Sequence, residues 1–285
     1  MKIKENQVIL LIGGTGFIGK NLVNTLINSG HELVILARDW SHVPELFFNF
    51  PQIKVIEVSL NELDKVASIV DELSIDLVIH MASGIVAGSD KKECNNELLN
   101  IVLPTMKLLD MLSQKSIKVI FFSSGGTIYG NKSDLITEES ELEPINYYGY
   151  SKLLIEQYIL FLSRLLKLEY VIVRPSNVYG KLQNIDETQG FIEVAIGKIL
   201  DNKTIEIWGS GKQTRDFIHI SDVCTAINKI VSQGISNKII NIACGKSHSL
   251  LEIIDILEKE LNMKALLSFR DNRAVDAKHI RFNIK

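Results

Sequence analysis

The sequence is poor in the features that mark several large protein classes. It holds three cysteines, Cys94, Cys224 and Cys244, far apart and without a CxxC spacing. That excludes a zinc ribbon, argues against a disulfide framework, and fits a reducing, cytoplasmic setting. With five prolines and no low-complexity tract, nothing suggests a long disordered or collagen-like segment. No run reaches the roughly 18 apolar residues of a membrane-spanning helix. The first apolar stretch, Val8 to Ile12, is too short for a signal-peptide core and runs straight into glycines. The 31 basic and 34 acidic residues give a net charge of -3 with no block of either sign, so neither a nucleic-acid nor a membrane partner is expected. The six histidines show no HxxxH or neighbouring carboxylate spacing, and no metal is required.

Present instead are short, branched apolar runs set between longer segments of helical spacing. Runs at 7–13, 31–37, 53–58, 76–82, 117–123 and 169–175 are continuously apolar, as strands are when helices cover both faces of a sheet. Between them, residues 17–29, 61–73, 97–113 and 147–168 repeat apolar positions every three or four residues, the pattern of crossover helices. The combination predicts an α/β fold with a doubly wound parallel sheet. At 285 residues and 46% hydrophobic composition there is ample material for a core. After Pro175 the rhythm loosens into a polar loop, followed by a helix over 191–200, a strand at 204–208, a helix at 221–232, a strand at 238–242 and a helix at 250–261. The expected division is 1–174 with about 214–243 as one domain, and about 175–213 with 244–285 as a smaller interleaved lobe, with a ligand crevice between them.

The first strand ends in GGTGFIG, where Gly14, Gly16 and Gly19 satisfy GxGxxG and Gly13, Gly16 and Gly19 satisfy GxxGxxG. The first glycines permit a tight turn and close approach to a pyrophosphate. The last lets the helix pack on the sheet, with its N-terminal N–H groups facing the phosphates. Between an apolar strand and an amphipathic helix, this turn points to a Rossmann-type dinucleotide site built on Gly13, Gly16, Phe17 and Ile18. The second strand ends Ala37-Arg38-Asp39. An acid there would accept from the 2′-hydroxyl of NAD, and an arginine would neutralise the 2′-phosphate of NADP. Arg38 favours NADP over NAD; in the alternative, Arg38 is a solvated charge and Asp39 holds the ribose.

Of Tyr147, Tyr148 and Tyr150, only Tyr148 has a lysine four residues on, Lys152. That spacing puts both on one helical face, where an ammonium can stabilise a tyrosinate and lower a phenol pKa that starts near 10. A phenol so tuned is an acid/base. On spacing alone the pair is an ordinary solvated contact. What gives it a function is its place after the glycine-rich turn FFSSGGTIYG, downstream of a dinucleotide turn. Nicotinamide beside a tyrosine acid/base implies hydride transfer at a carbinol or carbonyl. His80 reads as a packed histidine, and Trp208, Phe121 and Phe122 read as core.

In order along the chain, GGTGFIG, VIHMA, SSGGTIYG, YGYSK, RPSNVYG, WGSGKQTRDFIHISD and RAVD together resemble the extended short-chain dehydrogenase/reductase family, in its nucleotide-sugar epimerase, dehydratase and ketoreductase branch. The resemblance spans nearly the whole chain. It implies Tyr148 as general acid/base, Lys152 on the nicotinamide ribose, Ala82 of VIHMA at the cofactor, and Asn177, Arg215, Arg273 and Asp276 at the substrate. Guanidinium forks suit diphosphate oxygens. Read alone, Arg215 beside Asp216 would be a surface ion pair. A homodimer through the helices at 97–113 and 147–168 is implied as well.

The sequence departs from that family pattern in three places. The hydroxyl that assists the tyrosine falls at Gly125, so Ser124 or Thr127 is expected to replace it. The acid at the end of the second strand is displaced, and where the family continues through another helix this sequence reads RFNIK. The Asp-Glu pair of the family's 4,6-dehydratases is replaced by Gly126 and Thr127, which speaks against elimination. The expectation is an NAD(P)-dependent oxidoreductase acting at a hexose carbon, C4, of a nucleoside-diphosphate sugar. An NADPH-dependent 4-keto-sugar reductase comes first, an NAD-dependent 4-epimerase is the alternative, and a catalytically silent nucleotide-binding regulator is the third reading. The loop at 183–191 is expected to shape sugar specificity.

Overall fold

Each of the six apolar runs is a strand in the computed structural model, which describes residues 6–183, 190–273 and 275–284. The first half of the chain is β1 (Val8–Ile12), α1 (Phe17–Asn28), β2 (Glu32–Ala37), β3 (Ile53–Glu57), α2 (Leu63–Glu72), β4 (Leu77–His80), α3 (Lys91–Glu97), α4 (Leu103–Gln114) and β5 (Lys118–Phe122). Then come α5 (Tyr147–Leu166), β6 (Tyr170–Pro175), β7 (Asn177–Tyr179), α6 (Phe191–Leu200), β8 (Thr204–Trp208) and β9 (Thr214–His219). The chain ends with α7 (Ile220–Ser232), β10 (Lys238–Ile242), β11 (Ser247–Ser249), α8 (Leu250–Leu261) and β12 (Leu266–Arg270).

Seven parallel strands form the main sheet in the order β10-β6-β5-β4-β1-β2-β3. The strand order therefore reverses between β1 and β4, the place where doubly wound sheets open a ligand crevice at their carboxyl ends. Successive side chains serve opposite layers. Ile9, Leu11, Leu33 and Ile35 pack with α1 and α7, while Leu10, Ile12, Val34 and Leu36 pack with α2, α4 and α5. Each fully buried side chain of this kind contributes roughly 1.5–3 kcal/mol, and with both faces covered the strands read as continuous apolar runs.

Two smaller sheets flank the carboxyl edge: β11-β9-β7, and the parallel pair β12-β8 against which α6 and α8 pack. The strands β7, β9, β11 and β12 have no counterpart in the apolar pattern. β7 and β11 are three residues long, β9 alternates, and β12 is largely exposed. Residues 275–284 strap across the catalytic-side loops, with Phe282 bridged to Ile136 and His279 to Thr214. Phe282 is buried with Ile128, Tyr129 and Ile280.

The helix expected over 97–113 is interrupted. A π-helical turn over Leu98–Val102 separates α3 from α4, which carries Pro104 in its first turn. Proline lacks the N–H that would bond four residues back, and its ring crowds that carbonyl, so the helix widens there.

Candidate active site

A cavity of about 740 Å³ lies along the carboxyl edge of the main sheet, reached by Gly13, Ser124, Tyr148, Lys152, Asn177, Arg215 and Arg273. Its floor is the glycine turn at the strand reversal. Gly13 has φ 86, and a Cβ there would stand 2.8 Å from the Ala82 N. A Cβ on Gly19 would stand 2.5 Å from the Gly14 carbonyl oxygen, so α1 can rest on the turn only with glycine at that place. Gly16 caps α1 without a side-chain hydrogen bond and the first turn holds no acid, which leaves the N–H groups of the helix start open toward Gly16, Phe17 and Ile18 on the cavity wall. Gly14 instead faces Ile35. The spacing that lines the cavity is the one through Gly13, Gly16 and Gly19, and this cradle fits a dinucleotide pyrophosphate. Ser123 Oγ and Thr127 Oγ1 are buried at the same edge with no hydrogen-bond partner among the described residues.

At the end of β2 the two ribose candidates separate. Asp39 caps its own short turn: Ser41 donates its backbone N–H to Oδ1 at 2.9 Å, its hydroxyl donates to the same oxygen, and His42 Nε2 lies 3.9 Å from Oδ2. The Ser41 hydroxyl bond holds the Asp39 carboxyl below its ordinary range. Arg38 is exposed beside it. Neither residue lines the main cavity.

Tyr148 and Lys152 meet as the spacing predicts, in the first turns of α5, which Asn146 caps by accepting from the Gly149 N–H at 2.8 Å. Lys152 Nζ sits 5.6 Å from the Tyr148 ring centre and 5.2 Å from that of Phe121, and donates to the Ala82 carbonyl at 3.2 Å. Ala82 thus contributes its backbone. The expected lowering of the phenol does not occur. Burial pushes Tyr148 up to about 12, against a hydrogen bond with the Ser124 hydroxyl that pulls it down. Burial also draws Lys152 down to about 8, opposed by Glu97 and Glu156. Desolvation disfavours both charged forms at once, and it is the largest influence on each.

Of the two hydroxyls weighed for the helper role, Ser124 reaches the phenol and Thr127 makes no hydrogen bond among the described residues. Gly125 cannot carry one. A Cβ there would stand 2.8 Å from Phe282 Cζ and 2.9 Å from the Arg174 carbonyl oxygen. The C-terminal strap occupies the space a serine would need. His80 is packed as expected: its Nε2 lies 2.9 Å from Thr105 Oγ1, and burial holds it neutral, at about 3.

Across the cavity, Arg215 and Asp216 are not an ion pair. Neighbours on a strand point to opposite faces, and Asp216 is fully buried, accepting from Ser176 Oγ at 2.6 Å, Cys244 N at 2.9 Å and Gly245 N at 2.7 Å. Arg215 faces the cavity, where burial lowers its pKa and Asp276 opposes that shift. Arg273 forms a two-bond fork with Asp276, at 2.9 and 3.2 Å, and lies 4.8 Å over the Trp208 ring. Trp208 is therefore not core; it alternates outward on β8 and lines the cavity. Asn177 donates to the Asp216 carbonyl at 3.0 Å and stands over Gly126. Most of the loop at 183–191 lies outside the described residues. Among the described residues no cluster suits a metal, and no helix is long and apolar enough to cross a membrane.

The chain matches the NAD dependent epimerase/dehydratase family over residues 9–243. It is 33% identical over 281 residues, 98% of this chain and 90% of the relative, to a putative UDP-glucose 4-epimerase of Methanocaldococcus jannaschii. It is equally 33% identical over 292 residues, all of this chain and 91% of the relative, to a dTDP-4-dehydro-6-deoxyglucose reductase of Escherichia coli. Among solved structures, the UDP-glucuronic acid 4-epimerase of Bacillus cereus, in complex with UDP-glucuronic acid and NAD, superposes with a TM-score of 0.87 at 26% identity, over 98% of this chain and 90% of that one.

Proposed function

The chain belongs to the NAD-dependent epimerase/dehydratase family of extended short-chain dehydrogenase/reductase enzymes, and from that premise we propose that it is a 4-keto-sugar reductase taking NADPH and a nucleoside-diphosphate sugar. The observation that carries the reductase reading is the division of labour after β2. Asp39 is tied into its own turn, while Arg38 beside it is exposed, as a partner for a 2′-phosphate must be. Tyr148 supports the same direction. A phenol held at about 12 is protonated at neutral pH, the state a proton donor needs.

Gly13, Gly16, Phe17 and Ile18 would hold the pyrophosphate, and Tyr148 and Lys152, the latter held by the Ala82 carbonyl, would hold the nicotinamide ribose. The cofactor, when bound, supplies hydride to a sugar carbonyl. Tyr148 gives its proton to the oxygen of that carbonyl, with Ser124 holding the phenol in line. Lys152 keeps positive charge beside the phenol as it loses its proton. Arg215 and the free N–H groups of Arg273 hold the diphosphate, and Asp276 keeps the Arg273 fork in the plane that Trp208 backs. The main sheet carries the cofactor on this reading, and the small sheets of the C-terminal half carry the sugar nucleotide. Exposed Leu99, Leu103, Tyr150, Phe161 and Leu165 give α4, α5 and the π-helical turn an apolar face for a second copy.

The relatives that are epimerases favour a second reading, an NAD-dependent 4-epimerase. The two separate on assay. With dTDP-4-dehydro-6-deoxyglucose, the reductase consumes NADPH at a kcat/KM at least about tenfold above that with NADH, and Arg38→Ala erases the preference. Interconversion of UDP-glucose and UDP-galactose with no net consumption of cofactor would establish the epimerase instead.

A further inference from the structure

Glu97 is a buried carboxylate to which the reading above gives no task. It ends α3, is 3% exposed, and points into the protein just where the helix changes pitch. Its Oε1 accepts from Ser83 Oγ at 2.9 Å and its Oε2 from the Gly84 N–H at 2.8 Å. Ser83 and Gly84 directly follow Ala82, whose carbonyl receives the Lys152 ammonium. Gly84 leaves the room this requires, since a Cβ there would stand 2.9 Å from Glu97 Oε2.

The helix is shaped to deliver this side chain. Glu97 and Thr105 are eight positions apart, which in an ideal α-helix turns them about 80° from each other. The π-helical turn takes up one extra residue, so the two come to within about 20° and both face β4. There Thr105 holds His80 and Glu97 holds the turn that follows it. Turns of this kind are frequent at functional sites, and here the widening that Pro104 imposes re-aims Glu97.

We propose that Glu97 is a positioning residue for the Tyr148 and Lys152 pair: through Ser83 and Gly84 it fixes the backbone that receives the ammonium, and its negative charge keeps that ammonium protonated beside the cofactor. The inference rests on the active-site reading given above. The charged and titratable groups around Lys152 are Glu97 from α3, His80 from β4, and Tyr148 and Glu156 from α5. Glu156 is engaged in a two-bond fork with Arg174, and His80 is neutral. Glu97 has only a hydroxyl and a backbone N–H as hydrogen-bond partners among the described residues. It is also the larger of the two influences holding Lys152 up against burial.

The test reads cofactor binding as well as turnover. Fluorescence titration of NADPH and NADH against pH should show affinity falling as Lys152 loses its proton, with a break near pH 8. Glu97→Gln should move that break down by about one pH unit, and the pH profile of kcat should move the same way. Gly84→Ala, which crowds the carboxylate without removing it, should shift the break in the same direction by less. Ser83→Ala keeps the charge, so its break should stay in place. Unshifted breaks in folded Glu97→Gln and Gly84→Ala proteins would overturn the proposal; if the first does not fold, the second decides alone. Tyr148→Phe separates the two layers of the argument. Full turnover in that variant sinks the acid/base reading, whereas its loss alongside an unshifted Glu97→Gln sinks only the role of Glu97.

Discussion

Two cations lie buried at the carboxyl side of the main sheet, and they are held in opposite ways. Arg174 on β6 is close to saturated, with four of its five N–H groups engaged among the described residues. Its Nε and Nη2 donate to the two Glu156 oxygens at 3.0 and 2.6 Å, and Nη1 donates to Tyr129 Oη at 2.8 Å and the Glu138 carbonyl at 3.2 Å. Burial works against its charge, but the Glu156 bonds more than offset it and its pKa rises. Lys152, four residues from Glu156 on the same helix, makes one hydrogen bond among the described residues, to the Ala82 carbonyl, and otherwise faces two aromatic rings. Its pKa falls to about 8. A nearly saturated buried ion joins β6 to α5. An undersatisfied one facing a cavity is the kind that chemistry uses.

The contrast is best broken from the nearly saturated side. Glu156→Gln leaves a buried guanidinium without its counter-charge and should cost about 3–5 kcal/mol of stability by urea unfolding. A loss near zero would mean that the fork is incidental. Lys152→Met should do the reverse. A lysine whose folded pKa lies below its unfolded value costs stability at every pH below about 8, and that cost is relieved as pH rises from about 8 toward 10.5. The variant should therefore be more stable than the parent by about 3 kcal/mol at pH 7, with the gap narrowing across that window, while turnover is lost. An advantage that does not change with pH would contradict the account of Lys152.

Gly125→Ser tests whether the strap displaces the helper hydroxyl. It should cost about 1–3 kcal/mol through overpacking against Phe282 and the Arg174 carbonyl, and Phe282→Ala in the same chain should recover part of that stability. Arg38→Ala, on an exposed side chain, should leave stability within about 0.5 kcal/mol and change only the choice between NADPH and NADH.

What the sequence made legible follows the physics of each part. The main sheet reads directly, because strands covered on both faces must be apolar throughout, and the glycine turn reads because only glycine fits where Gly13 meets Ala82. Tyr148 and Lys152 read from helical spacing. Other features depend on contacts between distant segments. Trp208 looked like core until β8 turned it outward beneath Arg273. The exclusion of a hydroxyl side chain at Gly125 depends on Phe282, more than 150 residues away in the sequence. The lowered phenol expected from a lysine four residues on ignored the burial that both groups share. Glu97 sat at the start of a presumed regular helix, and the one available signal was Pro104, whose missing N–H marks where a helix must deform.

The most direct test of the central claim is Tyr148→Phe, followed by cofactor titration and by turnover of dTDP-4-dehydro-6-deoxyglucose with NADPH. The variant should bind NADPH with affinity close to that of the parent while kcat falls by about 10²–10⁴. Turnover at the parent rate, with cofactor bound, would contradict the assignment of Tyr148 as the proton donor and with it the account of the site.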